Sequence, residues 1–465
     1  MTSSFSERDA SFRAYALEAP ILRVVLTTCG PLALFQFIQS AFKILDTLMA
    51  SYIGSEAVSA VACLNQITLM VTALGSGLAV GSSIKISEAY GRGDYAAVRR
   101  RVATVYALAV TVSLLAAMVL IPFAEPFLRL FKTPETLIAT GSGYFRIEIL
   151  TLAINFFNTV YLAIERSRGN AKKILILNFA VVVVKLGFSA FFVYVLHGGL
   201  VMIAAATLIS QTLMLLYALI SMARDEGAFQ FRVKNVTMDK ETILPILNLS
   251  YPVAGEKMLF AGGKVVMNAM SVMYGSMTVG AMGVSNNIGG LTTNWHVGFT
   301  DGGAPLISQN RGAGKYRRTL RIFLCLLIID VAIGGLGILL VSQTLPWLAE
   351  LFARSKSNYD PAFRDAIVTI HRWEMLGYIT LGIHSAASAL LLGYGHAKTA
   401  MFINGARVFL FRVPVLWAFQ HFTALGMEAV GITMMISNIS TGLLAVIVTI
   451  PVIREILCLA CREEG

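Results

Sequence analysis

Charge is what this chain has least of. Asp, Glu, Lys and Arg supply 14% of its 465 residues, against 56% hydrophobic residues and a mean hydropathy of +0.72. That is far too little polar surface to clothe a soluble globule of this size, so the chain is expected in lipid. Cysteine is scarce too. Cys29, Cys63, Cys325, Cys458 and Cys461 offer no disulfide framework, and Cys458-x-x-Cys461, beside Glu463 and Glu464, reads as incidental thiols before a metal or redox site. No GxxxxGK[ST] phosphate loop occurs, so energy has to come from an ion gradient or from the substrate's own gradient. No HExxH, nucleophile–base pairing or metal-ligand cluster sits in the apolar stretches, which argues against an intramembrane enzyme. No cofactor or metal is expected. The N-terminus, MTSSFSERDASFRAYALEAP, lacks the pattern of a cleavable signal, and the first apolar span is expected to direct insertion.

What is present is long hydrophobic runs. A bilayer core needs about 20 apolar residues per helix. Dividing the chain at charged and Gly/Pro breaks gives twelve candidate spans, near 21–53, 57–85, 99–123, 137–164, 172–195, 199–223, 243–273, 278–306, 319–345, 364–392, 399–422 and 427–452. The formal charge of +11 is concentrated in alternate connections. Arg92 and Arg99 to Arg101 lie between spans two and three, Arg166, Arg168, Lys172 and Lys173 between four and five, and Arg311, Lys315, Arg317, Arg318 and Arg321 between eight and nine. Under the positive-inside rule both termini are cytoplasmic. Because these cations flank spans instead of forming one face, no nucleic-acid partner is expected.

The chain also contains itself twice. Pro31 to Tyr95 lies over Pro252 to Tyr316 without a gap, at an offset of 221. Pro31 meets Pro252, Lys43 meets Lys264, Gly77 meets Gly298, Gly81 meets Gly302, and GRGDY (Gly91 to Tyr95) meets GAGKY (Gly312 to Tyr316). Further on the offset is 226: Arg146-x-Glu148 falls on Arg372-x-Glu374, Gly169 on Gly395 and Asn178 on Asn404. Two similar, mostly apolar halves of six spans each point to a transporter. The expected division is an N-terminal lobe at 1–223, a cytoplasmic linker at 224–242 and a C-terminal lobe with its tail at 243–465.

LDTLMASYIGSEAVSAVA (Leu45 to Ala62), a glycine-rich second span ending in EAYGRGDY, and SQNRGAGKYRRT (Ser308 to Thr319) resemble the matching segments of multidrug and toxic compound extrusion (MATE) transporters, members of the multidrug/oligosaccharidyl-lipid/polysaccharide exporter superfamily. The resemblance covers nearly the whole chain. It implies an all-α membrane protein with twelve transmembrane helices in two pseudo-symmetric six-helix lobes, around a cavity that opens alternately to either side. The implied function is ion-driven export of organic compounds, with proton ahead of sodium, by a monomer in the bacterial plasma membrane that contacts small-molecule substrate, ion and lipid. A lipid-linked saccharide flippase and an anionic metabolite exporter of the same superfamily are the alternatives.

Ionisable residues inside apolar helices mark the candidate sites. In span one Gln36, Gln39, Ser40, Lys43, Asp46 and Thr47 recur at steps of three and four, making one polar stripe that should face a cavity. By resemblance Asp46 matches the family's coupling aspartate and Pro31 the proline at which that helix bends, with Pro252 its counterpart. Thr207 matches a family threonine, whereas Lys185 and Ser189 stand where relatives carry Asn and Asp. An ammonium there is expected to hold Asp46 ionised and to oppose a sodium ion. In the second half Glu256, Phe260, Lys264 and Asn268 share one face of span seven. Span eight carries Asn294, His296 and Asp301, and span eleven carries Arg407 and Arg412. Phe260 and His396 stand where sodium-linked relatives use acids. Glu256 is expected to pair with Lys264 or a span-eleven arginine, and Arg146-x-Glu148 and Arg372-x-Glu374 to be interfacial anchors or gate contacts.

Overall fold

The computed structural model describes residues 3–53, 55–122, 135–196, 200–225, 227–353 and 360–462. Among them there is no β-strand. After a first helix, Ser3–Glu18, twelve long helical runs follow among the described residues, in two sets of six. The first set is span one Ile21–Ile53, two Ser55–Arg92, three Tyr95–Leu120, four Glu135–Ser167, five Ala171–Ala190 with a closing π turn at Phe191–Val195, and six Leu200–Ala223. The second set is span seven Lys240–Ser271, eight Ser276–Gly312, nine Tyr316–Ala353 and twelve Glu428–Arg462, with two broken runs between them. Span ten is Pro361–Glu374 and Tyr378–Tyr394 joined by a 3₁₀ turn at Met375–Gly377, and span eleven is Ala397–Ala406 and Val413–Phe422 joined by a π segment at Arg407–Arg412. Eight of the helical runs are individually long and apolar enough to cross a membrane. Side chains such as Ile328, Leu339 and Leu340 on span nine, each about two-thirds exposed, are what a lipid-facing surface requires. The molecule is an all-α membrane protein of two lobes.

The sequence repeat has a backbone cause. Gly93 and Gly314, related by 221, both adopt positive φ (79° and 74°), as do Gly169 and Gly395, related by 226 (79° and 92°). These left-handed residues end the paired spans and allow the next to begin. Beside Gly93, Asp94 caps span three by accepting from the Ala97 N–H at 2.9 Å.

Two compact units emerge, and they do not follow the expected boundaries at 223 and 243. One holds Met1–Ala19 and Ala41–Gly255, the other Pro20–Ser40 and Glu256–Gly465. Each unit thus gathers the first part of one half's leading span onto the other half. Glycines explain why. A Cβ on Gly77 would meet the Ser250 carbonyl oxygen at 2.5 Å and the Ala254 Cβ at 2.7 Å, and one on Gly81 would meet Ile246 and Ser250. At the repeat-related positions, Gly298 abuts Ala33 and Gly302 abuts Cys29. Adding 221 to Cys29 and Ala33 gives Ser250 and Ala254, so the same close helix crossing is built twice.

The first unit's core gathers Tyr90, Tyr106, Phe157, Tyr161, Phe229 and Ile246. Tyr90, fully buried, stacks with Phe12 of the N-terminal helix (6.5 Å) and meets Phe229 of the 224–242 segment edge-on (5.2 Å). Arg13 donates to the Gly91 carbonyl from Nε and Nη2 at 3.0 and 2.8 Å. The 224–242 segment is therefore folded onto its lobe rather than loose. Arg168 binds both oxygens of Asp225 and covers the Phe229 ring. Burial alone would raise the Asp225 pKa, but Arg168, the Gly227 N–H and Lys173 outweigh it and hold it below the usual carboxylate value. The second unit packs around Met267, Ile288, Ile370, Tyr378, Leu416 and Met434.

Candidate functional site: charges inside each lobe

In the first unit, Lys185 of span five is half-buried, and Glu148 of span four lies within electrostatic reach of its ammonium. Ser189, one turn on, is buried with its hydroxyl unpartnered among the described residues. Thr207 donates back to the Ile203 carbonyl of its own helix at 3.2 Å. The side chains of Lys43, Asp46 and Thr47 lie outside the described residues, and with them the expected pairing of Lys185 with Asp46. Among the described residues, Glu148, which the sequence placed at an interface, is a carboxylate within electrostatic reach of Lys185.

The second unit repeats this pair. Glu374 is the counterpart of Glu148 at offset 226 and acts electrostatically on Arg412. At that offset Lys185 would fall on Phe411, but the π segment Arg407–Arg412 takes in one extra residue. The helical position of Lys185 thereby passes to Arg412. Each lobe therefore sets an acid of its fourth helix against a base of its fifth.

Around Glu374 the second pair is more elaborate. Ser285 of span eight donates to Glu374 Oε2 at 2.5 Å and lies 2.8 Å from His371 Nδ1, while the Tyr378 hydroxyl is 2.9 Å from His371 Nε2. His371, Ser285 and Tyr378 are fully buried. Its neighbour Arg372 instead points outward and binds Glu428 at 2.5 Å, so of Arg372-x-Glu374 only the arginine behaves as an exposed anchor. Glu256 accepts from the Asn404 side chain of span eleven at 2.8 Å, not from the expected lysine or arginine. Those cations gather on Phe260: Lys264 Nζ is 5.1 Å, Arg407 Cζ 5.3 Å and Arg412 Cζ 5.9 Å from the ring centroid. Arg412 Nε binds Ser437 at 2.9 Å, and both arginines donate to Asn438 Oδ1, at 2.8 and 3.2 Å. In the same unit, Gln36 of span one donates to Asp301 of span eight at 3.4 Å, joining two candidates that lie in different halves of the sequence. Gln39 and Asn268 are exposed and join neither cluster. Pro31 and Pro252 both lie inside continuous helices.

Nothing in the sequence singled out His371, Ser285, Tyr378 or Asn438, nor Asp330 as the partner, at 2.9 Å, of Nδ1 of His296, a residue already singled out on span eight. Asp330 left a signal, a lone acid in the apolar run LLIIDVAIG of span nine. The others are polar residues of ordinary type whose facing was not readable. Among the described residues no group of three or more His, Cys, Asp or Glu side chains stands close enough to hold a metal ion.

The duplicated halves have a counterpart in known proteins: the MatE family model matches residues 31–191 and 252–418. The chain belongs to the MatE family. Curated relatives of this MatE chain include the probable multidrug resistance protein YoeA of Bacillus subtilis (strain 168), 24% identical over 85% of this chain and 86% of the relative. Another is the multidrug export protein MepA of Staphylococcus haemolyticus (strain JCSC1435), 21% identical over 87% and 88%. The fold of this MatE chain superposes on the outward-facing conformation of a multidrug resistance MATE family transporter of the MOP superfamily with a TM-score of 0.90, at 18% identity over 98% of this chain and 99% of the other. A MATE structure in complex with MaL6 gives 0.91, at 19% identity over 95% and 98%.

Proposed function

We propose that this MatE chain exports organic small molecules across the bacterial plasma membrane by alternating access, drawing on an ion gradient, with proton as the coupling ion. The observation that carries the reading is the mirrored charge pair, Glu148 with Lys185 and Glu374 with Arg412. A carboxylate held inside an apolar bundle within electrostatic reach of a base is a group whose protonation changes the charge of a whole lobe. Built-in cations also make a poor sodium site, because they compete with the ion for the same carboxylates. The names of the curated relatives, a multidrug export protein among them, supply the substrate class. Both termini are placed in the cytoplasm on the distribution of Arg and Lys.

Efflux of ethidium from loaded proteoliposomes tests this. Acidifying the side to which ethidium is expelled should accelerate efflux, and a sodium gradient of equal size should not. Efflux indifferent to both gradients, or driven by sodium alone, would overturn proton coupling. Absence of any transmembrane movement by the reconstituted protein would overturn export itself.

A further inference from the structure

The mirrored pairs account for one acid and one base per lobe, and the second lobe has a base to spare. The position of Arg407 in the first half (407 − 226 = 181) is Val181, an apolar residue. Arg407 is therefore an addition that the repeat does not explain. It is costly, since a guanidinium in a helical membrane bundle needs compensation. Among the described residues no carboxylate forms an ion pair with it: the polar partner of its Nη2 is the neutral Asn438, already shared with Arg412, and its Nε is buried without a partner. The Asn438 Nδ2 is likewise buried and unpartnered. Glu374 acts on both arginines from a distance, but its own Oε2 is taken by Ser285 and its repeat-assigned base is Arg412. Glu256, the next acid along, is bound to Asn404. His384 also lies within electrostatic reach of Arg407 and adds no negative charge.

The neighbourhood completes a recognisable chemistry. Phe260 presents its ring to Arg407, Arg412 and Lys264 within 5.1 to 5.9 Å. Arg407 and Phe260 are partly exposed and Lys264 exposed, whereas Arg412 is buried beneath them. The open side of the cluster thus carries a guanidinium fork, an ammonium and an aromatic face. A carboxylate matches the fork with two parallel hydrogen bonds, and an apolar body attached to it would lie against Phe260. We propose that the second lobe holds a binding site for amphiphilic organic carboxylates, with Arg407 receiving the carboxylate, Lys264 adding charge and Phe260 seating the hydrocarbon. The proposal rests on the export reading and narrows its substrate class to include anions.

1-Naphthoate, fluorescent and carrying one carboxylate, is a suitable probe, with 1-naphthamide as its neutral isostere. Purified wild-type protein should bind naphthoate at least about tenfold more tightly than naphthamide, the loss expected when a charge-assisted pair is removed. Arg407→Gln should abolish that preference, Arg407→Lys should keep part of it, and Lys264→Gln, at an exposed position, should weaken naphthoate several-fold. If Arg407→Gln fails to fold, the lysine variant and Lys264→Gln still decide the matter. Equal binding of the two probes by wild type, or a preference untouched by both Arg407→Lys and Lys264→Gln, overturns the proposal. Proteoliposomes separate the two levels: ethidium export without naphthoate export leaves the export reading standing and defeats the anion site. Export of neither defeats both.

Discussion

Gly298→Ala is the most direct test of the helix crossing that is built twice. The added Cβ would fall against the backbone N and Cα of Ala33 and 2.9 Å from its Cβ. All three are shorter than real Cβ contacts, and two belong to backbone, which cannot swing aside as a side-chain tip does. Forcing such overlap costs about 1–3 kcal/mol, partly offset by the roughly 1 kcal/mol that alanine gains over glycine in a helix. Gly335→Ala on span nine is the control, because its Cβ would meet nothing within 4 Å and only the gain remains. The two variants should therefore differ by about 1–3 kcal/mol, with each kcal/mol moving the melting temperature by about 2–4 °C for a unit of this size. Thermal unfolding of the purified proteins in detergent, followed by tryptophan fluorescence, reads the difference. Gly77→Ala, against Ser250 and Ala254, should behave like Gly298→Ala. If Gly298→Ala is as stable as Gly335→Ala, span one does not pack on span eight as described and the repeated crossing fails with it.

Asp46→Asn should strongly reduce ethidium efflux while leaving expression and monodispersity unchanged, as its match to the coupling aspartate implies; full efflux would return Asp46 to a structural role. Glu148→Leu and Lys185→Met should each destabilise the protein, and the double variant should be less affected than their sum by about 0.5–3 kcal/mol, the coupling expected of a partly buried pair; strict additivity would show that the two groups do not meet. At Asp225 the folded pKa is depressed, so its contribution to stability is fully present above the unfolded value of about 3.9 and is lost as pH falls towards the folded one. Wild type should accordingly be more stable than Asp225→Asn at pH 7, with the gap closing below about pH 4; a gap that persists unchanged into acid would contradict the Arg168–Asp225 pairing.

Much of the architecture was legible because it depends on residues near one another in the chain. Twelve apolar runs, alternating basic connections and a constant offset of 221 are counted along the sequence. The glycines that recur at that offset proved to be turn and crossing positions, Gly93 with Gly314 and Gly77 with Gly298. The stripe in span one was legible for the same reason, since a helix puts residues three and four apart on one face. Its reach into tertiary structure is partial: Gln36 meets Asp301, while Gln39 is left exposed.

The sequence by itself determined that this is a duplicated membrane protein and which helices carry ionisable groups. Only the tertiary structure decided how those groups pair. Glu148 and Glu374 looked like helix-end anchors, whereas the fold brings Lys185 and Arg412 within their electrostatic reach. Glu256 looked like the partner of Lys264, yet it took Asn404 and left the cations to Phe260. The reason is angular. Each residue advances a helix by about 100°, so the single extra residue of the π segment at Arg407–Arg412 turns everything after it onto a different face. Sequence offset alone puts Phe411 opposite Glu374; the wider turn puts Arg412 there.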